Sequence, residues 1–355
     1  MPPLLNPRLV NSPFGDPALF APFFHEKRAF LFDIGDIAAL APRDILKITH
    51  CFVSHTHMDH FIGFDHLLRI MLGREKALYL YGPEGFHNNV AGKLAGYTWN
   101  LVENYDSPVT LVVSELTPHG IDTRRYACNE GFRPVPVSYT PWEMPWGSPC
   151  SNGKSDPENN PAPRVIASEN HFRVEAALLD HGTACLGFAV NEPFHVNIRR
   201  EMLEAMDLEP GRWLFDFKRM ILENHSNETL VYAARKSNGM QVEYTLGELA
   251  DRLVKIGRGG KIAYITDVAA ASGNVERIAA LAKDCDHLFI ESMFLESDRH
   301  LAERKNHLTA LQAGRIAAAA GASRSTLFHF SPRYRGMENA IYDEFLRGFW
   351  GLYSG

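Results

Sequence analysis

Short apolar runs and amphipathic stretches take turns along this chain, punctuated by glycine and proline. Residues 29–32 (Ala-Phe-Leu-Phe) and 48–53 (Ile-Thr-His-Cys-Phe-Val) read as short buried strands, and 61–68 has the apolar spacing of a helix start. Residues 77–81 form a strand closed by the turn Gly82-Pro83-Glu84-Gly85, 86–97 a helix and 109–116 a further strand. Regular structure resumes with a strand at 172–179, and 186–190 reads as its antiparallel partner. The last hundred residues alternate: strands at 261–266, 287–290 and 327–328, helices at 274–285 and 308–320. Asn274 is the expected N-cap of the first helix, and Gly321 ends the second.

Three stretches lack this regularity. Residues 1–28, rich in proline and aromatics, read as surface coil with short strands. A proline-rich loop or flap is expected near 140–165. Between 191 and 260, Arg199 and Arg200 open an amphipathic helix that Pro210-Gly211 breaks, and basic and acidic residues alternate as in a solvated excursion. We expect a single domain over 1–355, with the 191–260 excursion available for substrate binding.

Acids and histidines stand where the strands end: Asp33, His55 to His60, His181, Asp267, Glu291 and His329. Strand ends gather on one edge of a sheet, the usual location of a site in open sheets. Asp33 reads equally as a functional acid or as a side chain fixing its own loop. The densest stretch is Ser54-His55-Thr56-His57-Met58-Asp59-His60, on a strand-to-helix turn. Imidazoles and a carboxylate suit divalent metals, and so short a span places all four on one ion poorly. Two ions sharing the loop is the natural reading. A solvated polar turn would not need three histidines in so few positions.

Composition changes this picture little. Apolar residues make up 45% and charged residues 22% of 355, an ordinary globular balance, and a formal charge of −6 gives no bulk attraction for nucleic acid. A local basic groove remains compatible with it. The five cysteines include no CxxC pair, which argues against a disulfide framework and a thiolate zinc site and fits a reducing cytoplasm. The start of the chain lacks the apolar core of a signal peptide, and no apolar run approaches the roughly 20 residues that span a bilayer. A soluble, cytoplasmic protein is expected, with assembly as a homodimer left open.

His55-Thr56-His57-Met58-Asp59-His60 resembles the HxHxDH signature of the metallo-β-lactamase superfamily. The remaining ligand motifs follow in order, with His181 after a strand, Asp267 in Ile-Thr-Asp, and His329 before Phe-Ser-Pro-Arg-Tyr. The last of these is similar to the final motif of the ribonuclease Z branch, whose members trim the 3′ trailer of precursor tRNA. The resemblance runs from about Asp33 to Tyr334. It implies a four-layer αββα sandwich with a metal centre at one edge. His55, His57 and His181 would hold one metal, Asp59, His60 and His329 the other, and Asp267 would bridge them. Zinc suits the nitrogen-rich set, with manganese and iron as alternatives.

The implied chemistry is hydrolysis of a phosphodiester by hydroxide that two metals make available at neutral pH, with Asp59 inside the catalytic centre. In the ribonuclease Z branch a Glu and a His are associated with protonating the leaving oxygen. Glu291 in Ile-Glu-Ser-Met and His307 in His-Leu-Thr match those positions, against plainer readings as a structural hydrogen bond and a helix cap. The family's glycine-proline arm is not obvious, although Glu209-Pro210-Gly211-Arg212-Trp213 stands where its root would lie. The substrate is thus either precursor tRNA or a smaller phosphodiester. The other ten of the 16 histidines match no ligand motif and read as structural or surface.

Overall fold

The computed structural model describes residues 5–24, 26–143, 146, 162–169 and 171–351. The chain divides into two compact units. One comprises Leu5–Arg164, Glu175–Ala189 and Ile262–Gly355; the other is built mainly from Val165–Val174 and Val190–Lys261.

In the larger unit a first sheet takes its strands in chain order: Arg8–Leu9, Leu19–Pro22, Ala29–Phe32, Ile48–Phe52, Lys76–Pro83, Val109–Thr117, Gly120–Ala127 and Pro134–Pro141. The strands from Ala29–Phe32 to Val109–Thr117 pair in parallel, which requires crossovers. The helices Pro42–Ile45, Phe64–Met71 and Phe86–Ala95 lie in those crossovers. They bury Ile45, Phe64, Leu67, Met71, Phe86 and Val90 against Leu31, Cys51, Leu80 and Val113 of the strands.

A second sheet orders Ser325–Phe328, His287–Glu291, Lys261–Ile265, Ala184–Asn191 and Phe172–Asp180 side by side. Its helices Ser272–Leu281, Ala310–Ala319 and Glu338–Trp350 bury Ile278, Leu281, Ala313, Ile316, Ile341 and Phe345 against Ile265, Leu288, Ile290 and Leu327. The opposite faces of the two sheets meet through aromatic rings. Phe32 lies 5.6 Å from Tyr264 and 6.1 Å from Phe188, and Phe52 lies 5.6 Å from Phe188. Helices, sheet, sheet and helices make the expected αββα sandwich. Strands apolar on both faces are what such burial demands.

The smaller unit has a core of its own. Phe194–Ile198 pairs antiparallel with Val254–Arg258, and Leu230–Ala234 with Gln241–Thr245. The helices Arg200–Ala205, Arg212–Leu222 and Leu246–Leu253 contribute Leu203, Phe217, Leu246, Leu249 and Leu253, buried with Val231 and Ala233. Thr245 and Glu248 form a reciprocal cap at the start of the last helix.

Several local expectations need correction. Leu19–Pro22 is one of the short strands expected within 1–28, but it does not lie on the surface: Leu19, Phe20 and Ala21 are buried within the first sheet. Gly120–Ala127 and Pro134–Pro141 are strands that periodicity did not reveal. Every residue of Pro134–Pro141 is exposed on the sheet edge, where proline needs no ladder partner for its missing N–H. Most of the predicted 140–165 loop (144, 145 and 147–161) lies outside the described residues. The helix Ser272–Leu281 is N-capped at Ala271, not at Asn274. The buried Asn274 amide instead accepts from Asp180 N and donates to the carbonyls of Asp180 and Ala269. Among the described residues no helix is long and apolar enough to cross a membrane. Cys51, Cys128, Cys185 and Cys285 are buried and form no disulfide.

Candidate metal centre

Five strand ends deliver the predicted side chains to one place in the larger unit. Ile48–Phe52 leads into Ser54 and His55, Phe172–Asp180 into His181, Lys261–Ile265 into Asp267, and Ser325–Phe328 into His329, while Glu291 closes His287–Glu291. The helical turn Met58–Phe61, capped at His57, carries Asp59 and His60. Gly35 lets this turn sit close. A Cβ there would fall 2.4 Å from Pro17 O and 2.5 Å from Asp59 O.

Asp267 stands in the middle. Its Oδ2 lies 3.3 Å from His60 Nε2, 3.5 Å from His181 Nε2 and 3.7 Å from His55 Nε2, and its Oδ1 lies 2.8 Å from His329 Nδ1. His329 Nε2 and His60 Nε2 are 3.3 and 3.5 Å from Asp59 Oδ2. Potential donor atoms of His55, His57, His181 and Asp267 fall within 4.8 Å of one another, as do those of Asp59, His60 and His329. The two predicted triads and their bridging carboxylate are therefore brought together. His57 is exposed and Asp59 half-buried, so the centre opens on their side, and the remaining members are buried.

The donor set passes a test of fit for cations. His55 Nε2, His60 Nε2 and His329 Nδ1 are buried without a hydrogen-bond partner, although His329 Nδ1 is close to Asp267. Each such atom costs on the order of 1–3 kcal/mol if left uncompensated. Three around one carboxylate is what a site for positive charge requires.

Electrostatics agree. Burial would raise the Asp267 carboxyl, but His329 and His60 beside it hold it well below the usual range. Burial, with His60 adding to it, pulls His55 down to about 2. For His329 burial is outweighed by Asp267, and the ring rises to about 10. Neutral and cationic imidazoles thus crowd one carboxylate.

Glu291 and His307 form a pair at the same centre. Glu291 is fully buried; its Oε1 accepts from Val268 N at 2.8 Å and its Oε2 lies 3.0 Å from His307 Nδ1. His307 Nδ1 is 4.0 Å from Asp267 Oδ2. His307 is not a helix cap, because Thr309 with Gln312 caps the helix Ala310–Ala319.

Three contributors carry no sequence signal of their own. Ser54 and Tyr264 bond Asp33, and the Asn306 carbonyl lies 2.8 Å from His181 Nδ1 and orients that ring. Of these only Ser54 adjoins a recognisable motif.

Comparison with known proteins is consistent with this geometry. Residues 228–330 match the family model described as a beta-lactamase superfamily domain. The chain is 28% identical to a ribonuclease Z of Deinococcus radiodurans, over 94% of this chain and 92% of that one. It is also 28% identical to a ribonuclease Z of Latilactobacillus sakei, over 86% and 78%. Among solved structures, the short form of human tRNase Z aligns with a TM-score of 0.52 at 18% identity, covering 93% of each chain. A metallo-β-lactamase fold protein of Bacillus subtilis aligns at 0.50 and 12% identity, covering 97% and 94%.

Proposed function

We propose that this chain is a metal-dependent phosphodiester hydrolase of the metallo-β-lactamase superfamily and of the ribonuclease Z kind, acting on the 3′ end of precursor tRNA. The observation that carries the reading is Asp267, whose carboxylate lies 2.8–3.7 Å from ring nitrogens of both histidine sets. His55, His57 and His181 would hold one divalent ion and Asp59, His60 and His329 a second, with Asp267 between them. Zinc fits the nitrogen-rich set best, manganese or iron next. Two such ions lower the pKa of water towards about 7 and offset negative charge on a phosphoryl group.

The chain's own groups do the rest. Asp59, at the open side, would help hold the second ion where a phosphate could reach it. When water attacks phosphorus, the bond to the leaving oxygen breaks and that oxygen needs a proton. His307 is the donor in this reading. Glu291, 3.0 Å from its Nδ1, holds the ring and stabilises its protonated form. We take the 191–260 excursion as the part that holds RNA and place the enzyme in the cytoplasm. A homodimer, if formed, would be read from the mass of the purified protein in light scattering.

A second reading, hydrolysis of a smaller phosphodiester, has one observation in its favour. Of the cations in the excursion, Arg219 is paired with Asp216 at 3.1 Å, and Lys218 is half-buried with its pKa pulled down by burial. One experiment separates the readings: purified protein with defined Zn²⁺, offered precursor tRNA, bis(p-nitrophenyl) phosphate and a β-lactam in parallel. Cleavage of the tRNA at its trailer is expected. Turnover of the chromogenic diester with tRNA left intact would replace the first reading by the second, and hydrolysis of neither would overturn both.

A further inference from the structure

The last helix, Glu338–Trp350, has two contrasting faces. Ile341, Glu344, Phe345 and Gly348 recur at three- and four-residue steps and are buried on the side of Ala310–Ala319. The two backbones approach closely there: a Cβ at Gly314 would fall 2.1 Å from Phe345 O, and one at Gly348 2.3 Å from Leu311 O. That crossing fixes the rotation of the helix and turns Tyr342, Leu346 and Trp350 outward, 42%, 47% and 67% exposed. Steps of four residues place the three in one row along the helix surface. The row is already held in place. Tyr342 meets Phe330 edge-on with ring centroids 5.9 Å apart, and Trp350 meets Phe349 at 5.1 Å. Rings fixed by their neighbours lose little conformational freedom when a partner covers them.

Two opposite charges flank the row on one side, a turn apart: Asp343 and Arg347, both exposed. The Asp343 carboxylate has no hydrogen bond or ion pair among the described residues. Arg347 makes one long contact, Nη2 to Glu344 Oε2 at 3.9 Å, and the other oxygen of Glu344 already accepts from Glu296 N at 2.6 Å and Leu311 N at 3.3 Å. A uniformly acidic or uniformly basic partner would be repelled by one of the two charges. A lipid surface is a poor match, because helices that lie on membranes carry several cations on the polar face, and here Arg347 is opposed by Asp343. A second copy of the same face suits both charges.

We propose that this face is where two copies of the chain associate, helix against helix and antiparallel about a two-fold axis. An axis level with Phe345 sets Asp343 against the partner's Arg347 and Arg347 against the partner's Asp343, because both residues stand two positions from the centre. The rotation keeps the two charges on the same flank, so both pairs form together. Each Leu346 then lies about 3 Å along the helix from the partner's Leu346, at a rise of about 1.5 Å per residue, and Trp350 comes beside the partner's Asn339. Parallel helices would instead oppose like charges. One helix face is small beside the roughly 800 Å² that each partner of a stable complex buries, so the dimer should dissociate at about micromolar concentration. All of these residues belong to the larger unit, and the association does not depend on the hydrolytic reading.

Sedimentation equilibrium of the full chain, from about 1 to about 100 µM, tests this, with thermal melting of each variant as the check on folding. The wild type should pass from monomer to dimer across that range. Leu346→Lys should raise the dissociation constant by about tenfold or more. Asp343→Arg and Arg347→Asp each turn two attractive pairs into two repulsive ones, and each should weaken the dimer roughly tenfold. Mixed together, these two single variants carry opposite charges at every facing position, so a heterodimer should form where neither variant pairs with itself. Both exchanges in one chain, Asp343→Arg with Arg347→Asp, should return the dissociation constant to within about threefold of the wild type. Neither recovery can come from a general gain in stability, since an acid at 347 opposes the helix dipole. A wild type that stays monomeric at about 100 µM would overturn the proposal. So would two single variants that remain monomeric when mixed, or a dimer indifferent to Leu346→Lys and to both charge reversals, which must use another face. Should Leu346→Lys fail to fold, the charge variants alone decide.

Discussion

Glu291→Gln and His307→Ala, singly and together, test the proton path most directly. Glutamine conserves the volume of Glu291, and its carbonyl can still accept from Val268 N, now met at 2.8 Å. Its amide must then present N–H to His307 Nδ1, where a carboxylate oxygen lies at 3.0 Å. That reverses the donor at Nδ1 and opposes the protonated ring. A hydrogen bond to a charged group contributes about 1.5–3 kcal/mol. At about 1.4 kcal/mol per factor of ten, Glu291→Gln should lower kcat by roughly 10–100-fold. His307→Ala removes the donor itself and should cost the 10²–10⁴-fold typical of general acid–base catalysis. If Glu291 acts through His307, the double variant should match His307→Ala alone, since members of one unit are not additive. The assay is single-turnover cleavage of precursor tRNA, or of bis(p-nitrophenyl) phosphate, with bound metal measured in every sample. Losses that multiply in the double variant, at unchanged metal content, would refute the pairing.

Three further outcomes follow from the structure. Asp267→Asn should abolish activity and release at least one ion, and elemental analysis finding two ions retained would sink the bridging role. His287 faces Arg324 at 2.7 Å through Nδ1 and Thr326 at 2.7 Å through Nε2, and burial, aided by Arg324, pulls it from 6.5 to about 4. Its folded pKa lies below the unfolded one, so the stability it contributes is present above about pH 6.5 and is lost towards pH 4, up to about 3 kcal/mol; urea unfolding of His287→Gln should flatten that slope, and an unchanged slope would refute it. Arg199 and Arg200 are exposed, and replacing both with Ala should weaken precursor tRNA binding and reduce its salt slope by about one for each phosphate no longer neutralised, with turnover of the small diester untouched. Unaltered tRNA affinity would exclude these two residues from the grip.

The residues of the strand-end pattern in the sequence come together in the structure for a reason that lies in the sheets. Parallel neighbours align their ends: Ile265 pairs with Ile290 and Ile290 with Leu327, so Asp267, Glu291 and His329 emerge at one edge. A polar residue just past an apolar run is visible without any knowledge of strand order, and strand order alone was enough to gather them. The edge strand Pro134–Pro141 stayed hidden because exposure on every residue leaves no alternation to read. The core of the 191–260 segment stayed hidden because Leu203, Phe217 and Leu249 come from three short helices, each too brief to stand out among charges. Asp33 was legible as an acid at a strand end but not as the hydrogen-bond partner of Ser54, His60 and Tyr264. Its partner Tyr264 lies 231 residues away and looks, in sequence, like any other apolar position of a buried strand. Periodicity reports which face of a strand is buried, whereas a hydrogen bond depends on which atom meets it across the sandwich. The candidate ligands are written locally, and the hydrogen bonds around them are written only in the packing of the two sheets.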